Sequence, residues 1–301
     1  MALPAVVLPQ RLPLKTRAAA YVALTKPRII ELLLITTLPT MIVAQRGLPP
    51  LWLMVATLIG GSLAAGGANA INMFVDRDID KLMHRTRKRP LVTGAVTPRN
   101  ALIFAITLEV VAFVELWAWV NLLSAALAIS ATLFYVFVYT LWLKRSSSQN
   151  IVIGGAAGAV PVLVGWAAVT DSLSWTPVVM FAIIFVWTPP HFWALAVKYK
   201  DDYQAASVPM LPAVASFKRT AREILFYSVV LVGVSLLLAA VAKLGVIYVV
   251  SASVLGVVFV ALAVRLLRAQ TPKAAMQLFS YSITYLTLLF VLMAVDIFTK
   301  H

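Results

Sequence analysis

Asn72-Met-Phe-Val-Asp76-Arg-Asp78-Ile-Asp80-Lys-Leu-Met-His84-Arg85-Thr86-Arg-Lys-Arg89-Pro90 closes an apolar run that begins near Leu51. Three carboxylates and an amide therefore stand where a membrane helix would meet water. At about 100° per residue, each step of four drifts by only about 40°, so Asn72, Asp76 and Asp80 share one helix face over roughly 12 Å while Asp78 points elsewhere. Carboxylates aligned in this way repel one another, and the face calls for a cation. Mg²⁺ suits it, because this ion takes oxygen ligands, keeps several waters and is usually held by one or two carboxylates together with substrate phosphates. The alternative is a helix exit balanced locally by Arg77 and Lys81.

Working outward, 62% of the 301 residues are hydrophobic and 12% are charged, which lies outside the range of soluble domains. Segments able to span a core of about 30 Å lie near 28–46, 51–73, 100–119, 122–142, 151–170, 175–196, 223–243, 245–264 and 278–298. The expected fold is all-α: a polytopic membrane protein with nine transmembrane helices bundled around a central cavity. It forms one domain over 1–301, with 1–25 as a cytoplasmic tail. No charged residue precedes Arg11 and three prolines fall within the first thirteen residues, unlike a cleavable signal. With the N-terminus inside, 22 of 25 basic residues lie in inner segments, and only Arg46, Lys243 and Lys300 lie outside. An odd number of spans places the C-terminus outside. The charge of +14 follows the membrane in this way and does not point to nucleic acid. Without cysteine, disulfides, thiolate nucleophiles and zinc–thiolate sites are excluded, leaving oxygen ligands or three histidines for any metal.

A second cluster, Lys198-Tyr-Lys200-Asp-Asp202-Tyr, ends the sixth span. Lys198 and Asp202 are four apart and can share a face, offering a base for phosphate and an acid for metal, or else a solvated local ion pair. Arg85 and Arg89, with Lys81 behind them, are candidate diphosphate contacts, since guanidinium grips phosphate bidentately. His191 lies eleven residues before Asp202, roughly 16 Å deeper in a regular helix. It either orients a substrate or touches a metal centre, or it steadies the Pro189-Pro190 break. Glu31 sits near the inner mouth and is a further site candidate; Glu109 and Glu115 are also intramembrane. Gly60-Gly61, Gly66-Gly67, Gly154-Gly155 and Gly158 read as close helix packing. Pro39, Pro161 and Pro189-Pro190 read as interruptions that curve helices around an internal space.

The first cluster resembles the metal motif of UbiA-type intramembrane prenyltransferases. Five strings in order narrow the likeness to their protoheme IX farnesyltransferase (haem O synthase) group: Thr25-Lys-Pro-Arg-Ile-Ile-Glu31, Asp76-Arg-Asp-Ile-Asp80-xxx-His-Arg-Thr-xx-Arg89-Pro-Leu, Asn150-Ile-Val-Ile-Gly-Gly-Ala-Ala-Gly-Ala-Val-Pro161, Thr188-Pro-Pro-His191-Phe-Trp and Asp202-Tyr-xxxx-Val-Pro-Met-Leu-Pro212. The resemblance implies an enzyme of a bacterial or archaeal plasma membrane that joins the farnesyl group of farnesyl diphosphate to a vinyl carbon of haem B. It implies one or two Mg²⁺ ions on Asn72, Asp76, Asp80 and Asp202, and hand-over of product to haem A synthase or terminal-oxidase assembly. The superfamily's second motif has two aspartates four apart, whereas Lys198 stands at the earlier position here. A different aromatic or quinone-precursor acceptor is the nearest rival reading; a transporter or a haem-handling protein is a rival of another class.

Overall fold

A computed structural model describes residues 13–299, except the side chains of 28, 29 and 31–33. Ten long helices follow in order: α1 Leu14–Thr25, α2 Pro27–Gln45, α3 Leu51–Val75, α4 Pro98–Trp119, α5 Leu122–Ser146, α6 Asn150–Thr170, α7 Trp175–Lys198, α8 Phe217–Val241, α9 Val246–Ala269 and α10 Pro272–Phe298. Among the described residues there is no strand, and eight helices, α3 to α10, are long and apolar enough to cross a bilayer. The expected span at 28–46 coincides with the 19-residue α2, whose described apolar part is Leu34–Gln45.

Local chemistry sets the helix ends. Thr97 and Thr271 accept from Asn100 N and Ala274 N, and proline follows each as the first helical residue, where its missing N–H costs nothing. Asn121 and Ser216 cap α5 and α8 in the same way. Left-handed residues at Arg46, Asp171 and Gln270 stop α2, α6 and α9.

Packing divides the helices into two rings. Helices α3, α4, α5 and α6 form one, and α7, α8, α9 and α10 form the other, with α2 touching α3, α6 and α10 and α7 touching α6. Close approach within the first ring depends on glycine: a Cβ on Gly67 would strike Glu109, and one on Gly60 would strike Glu115 and Leu116. Gly61 and Gly158 face open space and serve no such contact. The second ring holds the largest buried side chains, among them Trp193, Tyr248, Phe259, Tyr285 and Phe290. Large apolar residues such as Trp117, Trp175 and Val257 face outward, as a bilayer solvent demands.

Chain alternation gathers the loops 76–97, 147–149, 199–216 and 270–271 at one end of the bundle. At the other end Arg46 donates to Ala242 O, and buried Asp296 accepts from Gly245 N and Tyr248 N, capping α9 from α10.

Two expectations need correction. Residues 14–25 form a helix whose Ala20 and Leu24 pack with Ala70, Met73 and Ala105, so this part of the expected tail is docked on the bundle. The helices run through Pro39, Pro161 and Pro189-Pro190 without a break. The irregularity lies instead in α5, where Phe134–Leu143 is wound as a π-helix.

Candidate active site

Helix α3 ends at Val75, Asp76 forms its C-cap, and a second short helix, Arg77–Asp80, follows directly. Asp80 N donates to Asp76 O at 2.9 Å, so the four-residue spacing survives the junction. Asn72, Asp76 and Asp80 are all buried, whereas Asp78 turns outward and forms a two-pronged pair with Arg145 at 2.7 Å. That pair holds the Asp78 carboxyl down to about 2.

The buried face draws cations from three parts of the chain. Lys144, at the end of α5, pairs directly with Asp76 Oδ2. Arg89, from the following loop, places Nη1 2.8 and 2.7 Å from both Asp80 oxygens. Lys26 bridges α1 and α2 in a left-handed conformation and donates to Asn72 Oδ1 at 2.8 Å. Asn72 Nδ2 in turn donates to Asp76 Oδ2 at 2.8 Å and to Thr140 Oγ1 at 3.1 Å. Thr140 reaches this position through the π-helix, in which its hydroxyl donates to Tyr135 O, five residues back, at 2.8 Å. Burial pushes the Lys26 ammonium down to about 7, with Arg89 and Lys144 adding to the effect, and an arriving anion would favour its charged form.

The loop after the triad is fastened to the loop after α7. Both oxygens of half-buried Asp202 accept backbone amides, from His84 at 3.0 Å and Arg85 at 3.2 Å. Arg85 donates to Tyr203 Oη at 3.1 Å and lies over the Tyr199 and Tyr203 rings. Met83, Ile79, Tyr203, Val208 and Met210 bury the seam. An ion pair between Lys198 and Asp202 does not form, because the chain turns at Tyr199 and a new helix, Lys200–Ala205, begins, which destroys the four-residue register. Lys198, Lys200 and Lys81 are exposed. Glu31 belongs to α2, and its side chain lies outside the described residues.

His191 sits elsewhere, in the α7–α10 seam. It stacks on Trp187 at 4.2 Å, tilts against Phe279 and contacts Ser282 Oγ through Nδ1 at 2.7 Å. Because the Ser282 hydroxyl donates to Phe279 O at 2.6 Å, it accepts from His191 Nδ1–H, which leaves the Nε2 lone pair unprotonated in the neutral ring.

The UbiA prenyltransferase family profile matches residues 33–292. The chain belongs to the UbiA prenyltransferase family. Its similarity to named proteins runs almost end to end: 52% identity with the protoheme IX farnesyltransferase of Renibacterium salmoninarum, covering 96% of this chain and 93% of that one. Identity with the protoheme IX farnesyltransferase of Streptomyces avermitilis is 54%, covering 96% of each. Solved structures share the fold at low identity. A digeranylgeranylglyceryl phosphate synthase superposes with TM-score 0.78 at 16% identity, over 94% of this chain and 99% of that one. A UbiA homologue from Archaeoglobus fulgidus bound to GPP and Mg²⁺ superposes at 0.63 and 15%, over 91% and 99%.

This UbiA-family site meets the demands of Mg²⁺ in one specific respect. Asp76 Oδ1 is buried and has no hydrogen-bond partner; the nearest guanidinium, from Arg145, stands 3.9 Å away. Among the described residues no group of three or more histidine or acidic side chains could hold a metal alone. The one oxygen of the face without a partner is therefore on Asp76, since Arg89 takes both Asp80 oxygens and Lys26 takes Asn72 Oδ1, and an ion bound there would need substrate phosphate and water to complete its shell. Repulsion along the acid face, however, is relieved first by Lys144 and Arg89. Neither Lys26 nor Lys144 stood out in the sequence as a site residue, since both read as ordinary inner-face bases; the π-helix that aims Thr140 and Lys144 had left no signal in the apolar run.

Proposed function

We propose that this UbiA-family prenyltransferase transfers the farnesyl group of farnesyl diphosphate to a vinyl carbon of haem B, giving haem O. The observation that carries this reading is identity above half, across nearly the whole chain, with proteins named protoheme IX farnesyltransferase. In the reaction the allylic carbon–oxygen bond breaks, a carbon–carbon bond forms to the vinyl group, water adds its hydroxyl to the neighbouring carbon, and diphosphate leaves with the proton balance passing to solvent.

Negative charge grows on diphosphate as that bond breaks, so groups aimed at it lower the barrier. Lys26, Lys144 and Arg89 supply positive charge beside Asn72, Asp76 and Asp80, and Arg85 is a further contact on the same loop. Mg²⁺ held by Asp76 and Asp80, with Asn72 adjoining, would neutralise diphosphate charge and polarise its oxygens. The apolar helices keep water from the isoprenoid and its cation. We assign His191 to the acceptor side, with Lys198 and Lys200 as outer contacts for incoming phosphate and Glu31 at the mouth. Asp202 closes the site by holding the triad's loop. A single ion, nine spans, a cytoplasmic N-terminus and site mouth in the plasma membrane, an external C-terminus and delivery of haem O to haem A synthase or oxidase assembly complete the proposal.

Asp202→Ala is expected to lower kcat about tenfold or more, because two backbone amides lose a charged acceptor and the loop carrying Arg85 and Arg89 comes loose. Lys198→Ala is expected to raise the KM for farnesyl diphosphate with kcat little changed, since uniform binding of charge acts on KM. Steady-state kinetics on both variants checks this, and the reverse pattern would exchange the two roles. His191→Ala should leave farnesyl diphosphate KM unchanged and impair haem use. Normal haem kinetics would return His191 to packing alone.

The direct test is turnover. Purified protein given haem B and farnesyl diphosphate should yield a haem of greater mass; prenylation of a hydroxybenzoate or quinone precursor instead would support the rival acceptor.

A further inference from the structure

Asn150, the first residue of the 21-residue helix α6, is fully buried, and neither Oδ1 nor Nδ2 has a hydrogen-bond partner. A buried amide left unpaired is costly, and a native interior rarely tolerates one without a ligand or an ordered water. Its location adds a second set of donors. Asn150 N–H itself donates to Ser147 O at 3.2 Å, and the backbone N–H groups of Ile151 and Val152 that follow have no acceptor within the helix and form the positive end of its dipole.

The side of α6 on which Asn150 lies is fixed by Gly154, one turn further on along the same face. A Cβ on Gly154 would run into the Tyr139 ring, so this face meets α5. From α5, Thr140 contacts Asn72 at 3.1 Å and Lys144 pairs with Asp76. Only residues 147–149 separate the end of α5 from Asn150. An unpartnered amide, a helix N-terminus and the Lys144–Arg145 end of α5 therefore converge next to the buried acid face.

We propose that Asn150 and the first turn of α6 hold an oxygen of the prenyl donor's diphosphate, as a positioning contact separate from the acidic triad. Nδ2 and the amides of Ile151 and Val152 would donate to the anion, and Oδ1 would accept a hydrogen bond from one of its waters. The inference rests on the function proposed above, but binding of pyrophosphate alone can be measured without it.

Asn150→Asp distinguishes a ligand contact from packing. An acid in the first turn suits the helix dipole, although its burial costs stability, whereas it repels an anion placed there, so binding is read on folded protein. On the folded fraction of the full-length variant, the Kd of inorganic pyrophosphate and the KM of farnesyl diphosphate should rise by about tenfold, the scale of one charged hydrogen bond. Affinity for haem B should be unchanged. Asn150→Ser, which retains one donor, should show a smaller rise, and it stands in if the aspartate variant does not fold. Unchanged pyrophosphate binding in both variants would overturn the proposal and leave Asn150 on a buried water. A loss confined to haem B, and absent with its dimethyl ester, would overturn it in favour of a carboxylate contact. If the wild type binds pyrophosphate but does not farnesylate haem, a pyrophosphate defect in Asn150→Asp still supports the contact while the function fails.

Discussion

Asp76→Ala is expected to abolish farnesyl transfer, while Asp78→Ala retains most of it, although the two acids are only two residues apart. Asp76 is fully buried, pairs with Lys144, accepts from Asn72, and keeps Oδ1 free of any hydrogen bond. Removing it leaves a buried ammonium without its partner and deletes the oxygen best placed to serve Mg²⁺. Loss of one member of a buried pair costs about 3–5 kcal/mol. If a comparable loss falls on the transition state, the rate drops by roughly two to four powers of ten, at about 1.36 kcal/mol each. Asp78 instead makes a surface pair with Arg145, and such pairs are worth about 0–1 kcal/mol. Initial rates at saturating Mg²⁺ compare the two variants. Equal losses would mean an undifferentiated acidic surface, contrary to the burial of one side chain and exposure of the other.

Lys144→Met should be the most destabilising single substitution at the site. It leaves buried Asp76 with the neutral Asn72 amide and a guanidinium 3.9 Å away, again at a cost of about 3–5 kcal/mol. The double variant Lys144→Met, Asp76→Leu separates stability from chemistry. Replacing both charges by apolar groups is often neutral for folding, so Tm should recover while turnover stays absent. Thermal unfolding in detergent, paired with activity of the folded fraction, reads both. An unaltered Tm in Lys144→Met would show that the pair contributes nothing, and recovery of turnover in the double variant would remove Asp76 from catalysis.

The sequence carried much of this architecture because the strongest signals were periodic or compositional. Long apolar runs marked the helices, and the four-residue spacing placed Asn72, Asp76 and Asp80 on a common face that persists across the change from α3 to the Arg77–Asp80 helix. What escaped was what depends on neighbours distant in the chain. Lys26 and Asn72 are 46 residues apart, Lys144 and Asp76 are 68 apart, and inner-face lysines are so common in membrane proteins that none stands out. The π-helix escaped because hydrophobic residues fill every side of Phe134–Leu143 and mask any change of winding. Proline misled in the other direction: within a bundle, neighbouring helices and local adjustments satisfy the freed backbone groups, so α7 passes through Pro189-Pro190. Register also failed locally at Tyr199, where a single non-helical residue redirected Asp202 from Lys198 to the amides of His84 and Arg85.

The central claim is that the buried acid–base face at the ends of α3 and α5 drives departure of diphosphate from farnesyl diphosphate as the farnesyl group passes to haem. Its most direct test is single-turnover conversion of haem B by purified protein with farnesyl diphosphate, with and without Mg²⁺, followed by mass analysis of extracted haem. Haem O should form with Mg²⁺ and disappear on chelation, with recovery when the ion is restored. Haem B recovered unchanged in the presence of Mg²⁺ and farnesyl diphosphate, from protein shown to be folded, would contradict the account.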